Sequence, residues 1–359
     1  MCTTVKVLIL TLLCGLVSCE KHDSPNGGDV PVDFSIDGEW STYVKSQDDN
    51  LQIKSSYTDP SVNGFEVGDK LAVFGYYIKN GENVSDLRPN FMYNQLVEMT
   101  EIANSVVWSY SPLKYWSNNS SDRFNFYAFY PFPNSYDEFE HNKMGIGFSA
   151  NSHIGLPEIS YTSPDNGTTG TIDFLYAEKL GMHKDENGGK IKLNFKHLMS
   201  KIQFKISVVK PDGGNDSKVY SAYVKGLSFM VNKKGVFKYS YNSENLPLWT
   251  IDNESGKCEI SKTVQGEGLY FSSNTTQVEV SHLFTSFVLP SDITSLSLNL
   301  SYDGINYENI NVATENLQTV AGKVTTVNLV VKAGPVCNID VIVNTAPWSN
   351  KDVNSSIIL

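Results

Sequence analysis

The stretch LSLNLSYDGINYENINV, residues 296–312, decides the fold class. Leu296, Leu298, Leu300 and Tyr302 occupy every second position, the period of a strand with one face against a core. Asp303-Gly304 interrupts the run with a dipeptide that tolerates the positive φ of a tight turn, and a second alternating run follows. The stretch predicts an antiparallel hairpin. The same period recurs in Ile191-Leu193-Phe195, Ile202-Phe204-Ile206-Val208, Leu227-Phe229-Val231, Val327-Leu329-Val331 and Ile339-Val341-Val343. Two segments, LAVFGYY (71–77) and FNFYAFYPF (124–132), are apolar on both faces, as in strands at the middle of a sandwich.

Turn chemistry agrees with the strands. Asn-Gly begins at Asn26, Asn63, Asn80, Asn166 and Asn187, and Asp-Gly at Asp37, Asp212 and Asp303. Helical periodicity with caps is nearly absent; the best candidate, around Asn94 to Ile102, is short. Many short strands with closely spaced turns point to an all-β fold of β-sandwiches, and about 320 structured residues suit two in tandem. The polar run His183 to Lys190 parts an aromatic-rich half from one rich in Val, Leu and Ile. The expected domains are therefore 32–190 and 191–359. Asn187-Gly188 within that run also fits a hairpin loop inside a single domain.

With 28 Lys+Arg against 39 Asp+Glu, the 359-residue chain carries a net charge of −11, and its basic residues are scattered. Phosphate would be repelled, so nucleic acid is excluded as a partner. A content of 40% hydrophobic and 12% aromatic residues supplies a core and excludes general disorder.

The N-terminus reads as an address. MCTTVKVLILTLLCGLVSC holds one basic residue, Lys6, then an apolar run from Val7 to Val17 too short to span a bilayer. Leu16-Val17-Ser18-Cys19 matches the pattern at which a bacterial lipoprotein signal, residues 1–18, is removed and the Cys19 thiol is acylated. Two or more chains, palmitate among them, make a stable outer-membrane anchor where one would be marginal. An ordinary secretory signal with an incidental Cys19 is the other reading. Residues 19–31 are Gly, Asp, Asn, Ser and Pro without periodicity, a flexible tether. Cys258 and Cys337, which remain after Cys2 and Cys14 leave with the signal, fit one disulfide or two thiols equally.

Chemistry-bearing patterns are missing. No nucleophile elbow, phosphate loop or zinc helix occurs, and His22, His141, His153, His183, His197 and His282 show no ligand spacing. No cofactor and no metal is expected. Asp137-Glu138 and Asp185-Glu186 are sequence neighbours that point to opposite strand faces, which suits solvated loops better than paired carboxylates. Trp108, Tyr110, Tyr115 and Trp116 form either a sugar-binding platform or core packing against residues 124–132.

Taken in order, GFEVGDKLAVFGYY (64–77), WSYSPLKYW (108–116), FNFYAFYPF, IDFLYAE (172–178) and LNFKHLMSKIQFKI (193–206) resemble the fimbrillins, the type V pilins of Bacteroidales; the Cys19 signal and the late Trp348 fit as well. The resemblance implies an all-β chain of two tandem transthyretin-like β-sandwich domains, exported as a lipoprotein to the outer membrane and cell surface. It implies a structural or adhesive fimbrial subunit rather than an enzyme, with other pilin subunits and a bacterial or host surface ligand as partners. It further implies that a trypsin-like protease removes the N-terminal segment, and that a C-terminal strand of the next subunit fills the groove this opens. Onto this sequence the scheme places the lost strand at Val32, Phe34 and Ile36, and the donor-type strand within 337–359 at Ile339, Val341, Val343 and Trp348. No Arg precedes Arg88, so cleavage would fall after Lys54 or Lys45, or the chain is an unprocessed anchor. The alternative is a non-polymerising surface lipoprotein that binds glycan or host protein.

Overall fold

The computed structural model describes residues 30–36, 65–132, 143–148, 155–163, 173–215, 217–239, 248–264, 266–273, 280–315, 317–333 and 338–348. Among these residues the chain forms strands, numbered β1 to β23 in chain order, with short 3₁₀ turns and no α-helix. The all-β expectation is met.

The central element is a six-stranded antiparallel sheet in the order β10 (Lys196–His197), β8 (Leu175–Met182), β5 (Arg123–Tyr130), β2 (Lys70–Ile78), β3 (Met92–Ile102), β4 (Ser105–Ser109). The two segments apolar on both faces become β2 and β5, neighbours in the middle of this sheet. Alternation divides their side chains between two cores. Leu71, Val73, Phe124, Phe126 and Ala128 face a first cluster with Trp108, Trp116, Ile191, Leu193 and Phe195. Ala72, Phe74, Tyr76, Tyr127 and Phe129 face another with Ile159, Tyr161, Phe237 and Tyr239. The rings meet mostly edge to face, as the aromatic quadrupole favours; Tyr127 and Tyr239 lie 4.7 Å apart at 63°. Of the aromatic quartet, Trp108 and Trp116 are core, whereas Tyr115 is exposed.

Residues 94–102, the one helical candidate, lie in β3 instead. Val97 and Met99 are buried two positions apart, and β2 and β4 pair with the strand on its two edges. Its start is irregular. Asn94 has φ +44° and the β2 register slips between Val73 and Gly75, so the polar Asn94 and Gln95 break the alternation that would have marked a strand.

A further core, the second, lies between the sheet β17 (Ser281–Val288), β11 (Ser200–Val209), β22 (Lys323–Lys332), β23 (Asn338–Pro347) and one built on β15 (Lys257–Thr263), β12 (Ser221–Asn232), β19 (Leu296–Ser301) and β20 (Glu308–Asn311), with β16 (Leu269–Ser272) also on β12. It joins Phe204, Ile206, Val327 and Leu329 to Val224, Phe229, Leu298 and Leu300. Cys258 is buried there, and Cys337 lies outside the described residues. The hairpin expected over 296–312 is β19 and β20, with Leu300 opposite Glu308. Its connection is wider than a two-residue turn. The Asp303 carboxylate accepts from the Ile305 and Asn306 N–H groups, each at 2.8 Å, and Gly304 takes φ +76°, so Asp-Gly organises a longer loop.

A four-stranded sheet, β14 (Leu248–Ile251), β13 (Lys234–Lys238), β7 (Pro157–Thr162), β6 (Lys143–Phe148), takes strands from both sides of residue 190. Two short pairs complete the fold, β18 (Ser291–Asp292) with β21 (Gln318–Thr319), and β1 (Asp33–Ile36) with β9 (Lys190–Leu193).

Candidate functional site

The strand β1 runs parallel to β9, from Asp33 opposite Lys190 to Ile36 opposite Leu193. Its alternation puts Val32 and Phe34 fully inside and Ile36 half inside, as the sequence spacing requires. The Phe34 ring stands edge-on to Phe126 at 5.8 Å and to Tyr110 at 5.6 Å. The opposite edge of the segment is held by the 110–116 stretch. Val32 N–H donates to the Lys114 carbonyl at 2.8 Å, Trp116 N–H to the Val30 carbonyl at 3.0 Å, and Tyr110 O–H to the Val32 carbonyl at 2.8 Å. Val30 and Pro31, the end of the expected tether, are therefore already pinned, with Pro31 bridged to Tyr115. Burial pushes the Tyr110 hydroxyl up to about 12. An exposed ion pair, Lys190 to Asp33 at 3.1 Å, finishes the outer face.

The walls around β1 belong to other parts of the chain. Trp116 donates its ring N–H to the Gly189 carbonyl at 2.9 Å, and Gly189 itself takes φ +78°. A Cβ there would approach Val30 at 3.1 Å and the Trp116 ring nitrogen at 3.2 Å, so the close approach needs glycine. Phe124 and Phe126 meet the Trp116 ring edge to face, at 5.1 and 6.0 Å. Sequence reading marked Trp116 and Tyr110 only as a cluster; Gly189 carried no signal beyond the turn at Asn187-Gly188. Cys19, Lys45 and Lys54 lie outside the described residues.

At the other end of the chain, β23 pairs antiparallel with β22 along its whole length, Asn338 opposite Lys332 through to Pro347 opposite Lys323. It is the last strand of its sheet, and no strand among the described residues pairs with its outer edge. Ile339 and Val341 lean half-buried on the second core, whereas Val343, on the same side of the strand, is exposed. Lys332 reaches Asp340 at 3.3 Å and Asp212 at 3.5 Å, and the bond to Asp340 leads in holding its ammonium above the ordinary range. Trp348 follows directly. Its indole lies flat on His197 and parallel to Phe287.

Among the described residues no group of three or more His, Cys, Asp or Glu stands together. Among the histidines described, His183 pairs with Glu186 at 3.2 Å and Asp185 at 3.8 Å, His197 with Asp173 at 2.8 Å, and His282 bonds Thr285 at 2.7 Å. What the chain offers is a short, side-chain-anchored first strand and a long edge strand.

No curated protein sequence matches the chain. Among solved structures it is similar to a fimbrial protein from Bacteroides vulgatus, with 17% identity, a TM-score of 0.50, and 78% of this chain and 93% of that one covered. It is also similar to the fimbrial anchor protein Mfa2 from Porphyromonas gingivalis, with 11% identity, a TM-score of 0.39, and 89% and 97% covered. The first of these shares the fold of the described sheets. The fimbrillin-like family model aligns with residues 58–348, from before β2 to Trp348, and this chain belongs to the fimbrillin-like family.

Proposed function

We propose that the protein is a structural subunit of a surface fimbria, assembled by strand exchange after proteolysis. The family is structural rather than enzymatic, and a fimbrial role places the chain at the cell surface. The single observation that carries the exchange is the asymmetry of the two ends. Four-residue β1, with Val32 just before it, fills a groove with Val32 and Phe34, while ten-residue β23 commits only Ile339 and Val341 to its own core. Removing β1 would leave the β9 edge and the 110–116 backbone unpaired and an apolar trough open, the condition that β-augmentation relieves. A tail from the next subunit, residues 337–359 with Ile339, Val341, Val343 and Trp348, supplies main chain and alternating apolar side chains.

Cleavage after Lys54, or after Lys45, is the trigger in this reading, and Cys19 acylation delivers the precursor to the outer membrane. The chain then divides into two sandwich units of the transthyretin-like kind. Phe195 in the first core and Ile202 in the second support a division close to the expected one between 190 and 191.

The test is assembly. Truncation after Ala333, and separately Lys45→Ala with Lys54→Ala, are each expected to leave a folded monomer at the surface that makes no filaments by electron microscopy. Wild-type filaments from either variant sink the mechanism.

A further inference from the structure

The C-terminal strand is held at its two ends and loose between them. Ile339 and Val341 rest on the second core, whereas every residue from Ile342 to Pro347 is exposed. The ladder to β22 and one hydroxyl contact, Thr345 to Thr325 at 3.4 Å, hold that stretch, and an edge ladder with few buried contacts is where opening begins. The strand then ends on Trp348, the one aromatic residue in 338–359. Its N–H donates to the Gly322 carbonyl at 3.2 Å. Its indole lies 3.5 Å from the His197 ring at 6° between planes, and 5.5 Å from the Phe287 ring at 3°. The Lys201 ammonium stands 5.2 Å from the indole centroid, within cation–π reach.

These partners come from different sheets. His197 ends β10 of the six-stranded sheet, and Phe287 lies in β17 of the sheet that carries β23. His197 is fixed from behind, its Nδ1 2.8 Å from Asp173 with side-chain exposures of 5% and 1%. A ring locked by a buried carboxylate is already oriented for a flat partner, so the indole binds without ordering its seat. Completing an edge ladder needs no such seat, and an aromatic clasp just past six exposed residues has a mechanical consequence.

We propose that His197, Phe287 and Lys201 form an indole-docking site whose occupant is the chain's own Trp348, and that its occupancy keeps the C-terminal strand parked on β22. The inference rests on the reading of β23 as the donated strand and adds the step that controls donation. The indole lifts first, and the exposed stretch then peels from Pro347 back towards Ile339. Release is thereby set at the seam of two sheets, away from the groove that receives the tail.

Two variants of the full chain test it without altering β23. His197→Gln keeps a donor for Asp173 but removes the ring, and Phe287→Leu removes the second plane. In the uncleaved monomer, hydrogen exchange of the β23 amides is expected to quicken about tenfold in each variant while β11 and β12 stay protected. Protease-triggered polymerisation is expected to begin sooner. Should one variant fail to fold by circular dichroism, the other decides, with Trp348→Leu as the matched loss of the occupant. Unchanged β23 exchange overturns the docking site. Faster exchange with an unchanged polymerisation rate, in a chain whose truncation after Ala333 abolishes polymer, overturns the control step and leaves strand donation intact. Polymer from the truncated chain overturns donation and the control step with it, whereas faster exchange in that case still upholds the docking site.

Discussion

Phe34 carries more of the first strand's attachment than any other residue. Its ring is buried against Phe126 and Tyr110, and β1 has only four residues over which to spread its contacts. Phe34→Ala is expected to lower the stability of the uncleaved chain by about 3 kcal/mol, read from urea unfolding midpoints at constant slope. Tyr110→Phe keeps the ring but removes the hydroxyl's bond to the Val32 carbonyl and its contacts with the Lys114 main chain, and should cost about 1–2 kcal/mol. Alkali reaches the same contact. Folding raises the Tyr110 pKa to about 12 by burial, so the folded state holds that proton more tightly than the unfolded one. The stabilisation is full below the ordinary tyrosine value near 10 and is lost as pH rises towards 12. Tyr77, which donates to buried Asp122 at 2.6 Å, and Tyr176 are likewise pushed up to about 12, chiefly by burial. Tyrosinate absorbance is therefore expected to rise with unfolding between pH 10 and 12; a wild-type rise complete near pH 10 without loss of fold would contradict these buried hydroxyls.

Elements divide by what each commits to a core. Truncation after Ala333 removes the half-buried Ile339 and Val341 and the Trp348 indole stacked on His197 and Phe287, so it is expected to lower stability by about 2–4 kcal/mol and leave β11, β12 and β19 folded by circular dichroism. A collapse of the whole β signal would show instead that β23 is integral to its sheet. The same difference governs how legible the elements are in sequence. β11, β22 and β19 alternate over most of their length, from Ile202 to Ile206, Val327 to Val331 and Leu296 to Leu300, because one face of each is sealed by a core and imposes a period of two. β2 and β5 reveal themselves by apolar residues on both faces, since cores lie on both sides. β3 is obscured by the bulge at its start, where Asn94 adopts positive φ. The sheet of β14, β13, β7 and β6 has no sequence signature at all, because pairing across residue 190 is a property of topology rather than of local pattern. Val32, Phe34 and Ile36 could be read from spacing, whereas Tyr110, Gly189 and the His197 seat could not, their partners being brought together only by long-range pairing.

At the scale of the whole molecule, the proposed scheme puts anchor, cleavage sites and replaceable strand on one N-terminal segment in the order Cys19, β1, Lys45, Lys54. In the proposed scheme a single cut after Lys54 therefore severs the covalent link between lipid and body but leaves β1 seated. Val32 and Phe34 remain buried, the β9 ladder and the bonds to Lys114 and Val30 remain made, and none of these depends on chain continuity at Lys54. Cleaved subunits are accordingly expected to stay at the membrane, held by a non-covalent fragment, until an incoming tail takes its place. The decisive measurement uses purified cleaved protein with a label on the N-terminal fragment. Fragment retention is expected in buffer alone, and release is expected on adding a peptide of residues 337–359. A peptide in which Ile339, Val341 and Val343 are replaced by Asp should release nothing, because charges cannot occupy an apolar trough unpaired. Spontaneous loss of the fragment without peptide would mean that four residues of β1 are too few to hold it. Equal release by both peptides would mean that backbone pairing alone, without the alternating side chains, drives the exchange.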